Sequence, residues 1–82
     1  MTLTPDYTEY DEAQLKELEA IAEDAYDKMY DSEQNYRQYY ATAKDAYYDA
    51  IELAAKCGQD ELATRFKNRL IHIKNVFRSQ FS

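Results

Sequence analysis

The chain predicts an all-α fold, an antiparallel three-helix bundle, on three observations. Glycine and proline, which punctuate turns and strand ends, occur once each in 82 residues, and a turn-dense β fold needs many more of both. Good helix formers (Ala, Leu, Glu, Lys, Gln and Arg) supply much of the remainder. Apolar residues recur at alternating three- and four-residue intervals in three separate stretches, the spacing that lines one face of an α-helix. With 45% hydrophobic residues the composition is globular, and a chain of 82 residues is near the lower limit that one core can stabilise.

Residues 1–7 read as a flexible lead-in and 8–82 as a single helical domain. The first helix is expected over 9–30, with Leu15, Leu18, Ala22, Ala25 and Met29 as its stripe and Tyr26 beside them. Thr8 or Asp11 is its candidate N-cap, and Asp11 with Gln14 has the spacing of a capping box. Residues 31–34, "DSEQ", offer Asp31 or Ser32 as the cap of a second helix over 33–57. No glycine or proline enforces a break there, so the alternative is one continuous helix, forming a long helical hairpin that would dimerise to bury its exposed half. The second stripe is Tyr36, Tyr40, Ala43, Tyr47, Ala50, Ala54 and Cys57. Gly58, the only glycine, sits where a left-handed C-cap is wanted. Asp60 is the expected cap of a third helix over 60–80, whose stripe is Leu62, Phe66, Leu70, Ile73, Phe77 and Phe81.

Five tyrosines fall within "NYRQYYATAKDAYYDA", residues 35–50. Their helical positions send Tyr36, Tyr40 and Tyr47 into the stripe beside alanine, where a large ring against a small residue gives the interdigitation close packing needs. Tyr39 lies at the stripe's margin, and Tyr48 lies off it. Tyr48 is therefore a candidate contact for a partner. Ile71 is another, because it falls among Lys67, Lys74 and Arg78, away from the third stripe.

Charge is segregated along the chain. Residues 1–60 hold 15 of the 16 acids and five of the ten bases, a net of −10, whereas residues 61–82 hold one acid and five bases, a net of +4. The third helix places Arg65, Arg69 and His72 on one flank and Lys67, Lys74 and Arg78 on the other. These flanks can orient the helix against acidic neighbours. The acids of the first two helices, Glu12, Glu17, Glu23, Asp24, Asp27, Asp31, Asp45, Asp49 and Glu52, point away from the stripes and form an acidic face. From that face, Glu17, Asp24, Asp27, Asp31, Asp45, Asp49 and Glu52, with Tyr48 and Ile71, are the candidate partner-binding residues.

No catalytic, cofactor or metal signature is present. One histidine (His72) and one cysteine (Cys57) match no familiar zinc spacing, one glycine cannot build a phosphate loop, and Cys57 reads as a buried structural thiol. Carboxylate pairs such as Asp24 and Asp27 lie on solvated faces, where nothing raises a pKa for acid–base work. No apolar run approaches the roughly 20 residues of a membrane span, and the acidic start "MTLTPDYTEYDE" does not resemble a signal peptide. The stretch "DYTEYDEAQLKELE" resembles the first helix of the colicin DNase immunity proteins in its helix-start chemistry. The short tyrosine-pair helix, proline and aspartates with which that family contacts its partners have no counterpart here, so no family is assigned.

The expectation is a cytoplasmic, non-enzymatic binding protein without cofactor. Its acidic face would dock on a protein with a basic surface, in the manner of a nucleic-acid mimic or a small phage-encoded inhibitor. The alternatives are a self-associating adaptor, for instance a homodimer, and a weak nucleic-acid binder acting through the basic third helix. Nucleic acid is the less expected partner of a chain with net charge −6.

Overall fold

The computed structural model describes residues 9–81, which form three α-helices: α1, Glu9–Asp31; α2, Tyr36–Lys56; and α3, Asp60–Gln80. No strand occurs among the described residues. The expected lead-in and the Thr8 cap lie outside them. The chain does break between α1 and α2, which overturns the continuous helix of the alternative reading. Without glycine or proline, the break is held by Ser32, whose Oγ accepts the Asn35 backbone N–H at 2.8 Å. The second helix consequently starts at Tyr36 rather than 33, with Asn35 and not Asp31 or Ser32 at its N-cap. Asp60 is the first residue of α3 and Gln59 its N-cap, while Asp11 lies inside the first turn of α1. There the acids Glu9, Asp11 and Glu12 complement the helix dipole.

The α2 terminus follows the expected chemistry. Gly58 adopts φ 73°, its N–H bonds to the Ala55 carbonyl at 3.1 Å, and the Gln59 N–H bonds to the Ala54 carbonyl at 2.8 Å. These paired bonds satisfy carbonyls that the helix itself leaves open.

The helices run up, down and up. Glu23 meets Arg69 and Tyr26 meets His72 at the same separation of 46 residues, so α1 and α3 are parallel and in register. Tyr36 contacts Phe81, Tyr40 stacks on Phe77 and Tyr47 contacts Phe66, so α2 runs antiparallel to α3. The α1 and α2 backbones approach most closely, because both faces are floored by alanine: Ala22 and Ala25 on one side, Ala43, Ala46, Ala50 and Ala54 on the other, all buried. Leu15, Met29, Tyr47, Phe66 and Ile73 are the large fully buried side chains between them.

The two ends of the bundle differ in what fills them. Where α1 ends and α2 begins, rings gather: Tyr30 against Phe81 at 5.7 Å, Tyr36 against Phe81 at 5.2 Å, and Tyr40 stacked on Phe77 at 3.9 Å. Toward the opposite end small residues, Ala50, Ala54, Cys57 and Ala63, are buried beside Leu15 and Phe66. All the expected stripe residues are buried or half-buried, and Ala46 and Ala63 join them.

Two substitutions test this packing by urea unfolding followed by circular dichroism. Ala50→Leu, at a fully buried position on the close α1–α2 seam, is expected to destabilise by about 1–3 kcal/mol through overpacking. Gly58→Ala meets open space, with nothing within 4 Å of an added Cβ, so its expected loss of about 1–2 kcal/mol is backbone strain alone.

Candidate functional site

Glu23 is where the three helices meet chemically. It projects from α1 toward α3, and Arg69 donates to it in a fork, Nε to Oε2 and Nη2 to Oε1, each at 2.8 Å. The Tyr47 phenol of α2 donates to the same Oε2. Arg69 also lies 5.0 Å over the Tyr26 ring, and the Tyr26 hydroxyl lies 3.1 Å from the Tyr30 hydroxyl and 3.4 Å from His72 Nε2. One turn before Glu23, Glu19 reaches Arg65 at 3.5 Å. Every buried side-chain nitrogen and oxygen among the described residues has a partner.

The proton affinities of this cluster show its chemical character. The Arg69 hydrogen bonds hold the Glu23 carboxyl below its ordinary value against an opposing push from burial. Burial raises the phenols of Tyr26 and Tyr47, helped by their hydrogen bonds to Tyr30 and Glu23. An acid pushed down and phenols pushed up are all tuned away from exchanging protons near neutral pH. The cluster is a clasp between helices.

The clasp divides the acidic residues into two kinds. Glu19 and Glu23 turn to α3, which corrects the expectation that Glu23 belongs to the acidic face. Glu12 is held by Lys16 at 3.3 Å. Glu17, Asp24, Asp27 and Asp31 are exposed along the outer side of α1, and Asp45, Asp49 and Glu52 along the outer side of α2. Among these seven only Asp24 is ion-paired in the described residues, to Lys28 at 2.9 Å. The pattern of α1 also leaves Ile21 43% exposed on this side, one turn from Glu17 and close to Asp24, an apolar position that the stripe reading does not single out.

The basic flanks of α3 also separate. Arg65, Arg69 and His72 face α1. Lys74, on the other flank, donates to the Tyr48 hydroxyl at 2.5 Å and lies 4.9 Å over its ring. Tyr48 and Ile71 are both half-exposed, at 47% and 54%; both lie beside the α2–α3 seam, and Tyr48, one turn from Asp45 and Glu52 on α2, also borders that acidic row. The nine candidates thus fall on two surfaces. A shallow cleft of about 150 Å³ between the first turns of α1 and α3 has Leu15, Leu62 and Phe66 in its floor and charged residues at its rim. Among the described residues no three of His, Cys, Asp and Glu cluster to hold a metal ion, and no helix is long and apolar enough to cross a membrane. Cys57 is buried. The chain matches no protein-family model, no curated protein and no solved structure.

The clasp makes stability depend on acid pH in a defined direction. Folding favours ionised Glu23, so its contribution is complete above the ordinary value of 4.5 and is lost as pH falls through the depressed folded value. Glu23 and Arg69 stay about a third exposed, so Glu23→Gln is expected to cost about 1–2 kcal/mol at neutral pH, below the range for a dry charged pair. The gap between variant and wild type should narrow in acid, as pH falls below 4.5 and through the depressed folded value. Urea midpoints at neutral and acid pH measure it; a gap that persists in acid would assign the loss to shape rather than charge.

Proposed function

We propose that this chain is a cytoplasmic, non-enzymatic binding protein that docks its acidic α1–α2 outer surface on a basic site of another protein, as an inhibitor or modulator. The observation that carries this reading is the two exposed carboxylate rows on rigid helices, in which, among the described residues, six of seven acids have no cation within ion-pair distance. Along α2 the three charges follow one another at about 5 Å, given a rise of about 1.5 Å per residue. Phosphates along one strand of a duplex advance about 3.4 Å each along the helix axis. The row is thus a sparser, prearranged version of a phosphate track, and the absence of long flexible linkers between its charges lowers the ordering cost of binding.

The α3 flank that meets α1 weighs against the nucleic-acid alternative. Arg65 and Arg69 are engaged by Glu19 and Glu23, so a polyanion would have to displace carboxylates already in place.

The test is affinity capture from the native host, with crosslinks to map the contacted surface. Crosslinks are expected to fall on the helix faces that carry Asp24, Asp45 and Asp49. The triple variant Asp45→Asn, Asp49→Asn, Glu52→Gln is expected to weaken capture at least tenfold at low salt. Capture equally strong at about 50 mM and about 1 M salt would sink the electrostatic reading.

A further inference from the structure

The α2–α3 seam is the chemical inverse of the acidic surface. Arg37 lies 5.9 Å over Tyr36, Lys44 lies 5.4 Å over Tyr40 and Lys74 lies 4.9 Å over Tyr48. Tyr36 and Tyr40 themselves pack on Phe77 of α3, so these cations line one seam. Lys67 joins Lys74 on the same flank of α3, two turns earlier. Among the described residues, none of Arg37, Lys44, Lys67 and Lys74 has a carboxylate within ion-pair distance. By contrast Lys16, Lys28, Arg65 and Arg69 each have one. The bundle therefore spends its internal ion pairs on α1 and leaves Arg37, Lys44 and Lys74 of the seam resting on aromatic rings.

Between these cations sit Ile71, 54% exposed, and Tyr48, 47% exposed. An aliphatic and an aromatic side chain inside a charged rim are the usual make-up of a protein contact surface. A ring quadrupole holds a cation without neutralising it, so the field of Lys44 and Lys74 still reaches outward.

We propose that the α2–α3 seam receives the acidic α1–α2 surface of a second copy of this chain. Charge complementarity identifies the occupant: among the described residues one molecule carries a carboxylate surface in which only Asp24 is ion-paired and a cationic seam with no ion pair at Arg37, Lys44, Lys67 or Lys74. Lys67 and Lys74 are seven residues apart, as are Asp45 and Glu52, so the opposing charges share a spacing of about 10.5 Å along their helices. The two surfaces differ, so the contact is heterologous. Each added copy leaves one acidic surface and one seam open, and the assembly grows head to tail. The inference rests on the acidic surface being a docking surface. It adds that self-assembly competes with a foreign partner for those carboxylates.

Sedimentation and light scattering on the full chain test it. At about 50 mM salt and high micromolar concentration the mass is expected to rise at least twofold above the 9.7 kDa monomer and to return to monomer at about 1 M salt. The acidic-surface variant Asp45→Asn, Asp49→Asn, Glu52→Gln and the seam variant Lys67→Gln, Lys74→Gln, Ile71→Ser should each be monomeric alone. Mixed in equal amounts, they should form a dimer that stops there, each variant supplying the surface that the other lacks. A wild-type monomer at low salt, a dimer that survives high salt, or a mixture that stays monomeric would each overturn the proposal. So would retention of a single-stranded oligonucleotide that depends on Lys67 and Lys74, which would assign the seam to polyanions. The wild-type salt series decides the matter should a triple variant lose its helical signal. Capture of a foreign protein by the seam variant reports separately on the acidic surface, so self-docking can fail while that reading stands.

Discussion

The Glu23 carboxylate is the point at which three amphipathic helices become one arrangement. Apolar stripes alone can pack in more than one order, since leucine, alanine and tyrosine do not dictate which helix lies on which side. Glu23 does, because Arg69 of α3 and Tyr47 of α2 must both reach it. The fork is directional: a guanidinium meets a carboxylate edge to edge, and a one-turn slip of α3 would separate them by about 5.4 Å. Arg69 is in turn braced by the Tyr26 ring. The clasp sets register as well as neighbour.

That register has consequences at both ends. With α3 parallel to α1, its C-terminal rings arrive where α1 stops and α2 starts, so Phe77 and Phe81 fill that end with Tyr30, Tyr36 and Tyr40. The alanines of α2 bring it close to α1, which separates the outer surfaces of those two helices from the seam that α2 shares with α3. Ion pairing at Glu19 and Glu23 engages Arg65 and Arg69 on one flank of α3 and, among the described residues, leaves Lys67 and Lys74 on the other without a carboxylate partner. The charge layout of the surface is thus a by-product of how the core is locked.

Much of the fold was legible in the chain because helix formation and burial here follow periodicity. The stripes, the Gly58 terminus and the extent of α3 emerge as expected. The start of α2 was displaced because Ser32 bonds to the Asn35 N–H, a side-chain choice among several polar residues that composition does not rank. Ala46 and Ala63 were missed as core because an alanine beside a stripe is buried only when the neighbouring backbone comes close. Glu23 was grouped with Glu17 although they differ in fate. One signal was available: Glu19 and Glu23 are four residues apart, as are Arg65 and Arg69, matched one-turn spacings of opposite sign.

The amino-acid sequence by itself determined three helices, which residues line their inner stripes, where α2 ends, and that acids crowd the first two helices while bases crowd the third. These depend on positions around one helix axis and on local backbone chemistry. Only the tertiary structure decided which acids are spent inside the bundle and which face outward, and that Tyr48 is held by Lys74 of α3. The physical reason is that periodicity gives an angle about an axis but not the identity of the neighbour at that angle. Glu23 and Glu17 became different residues when α3 settled on one side of α1.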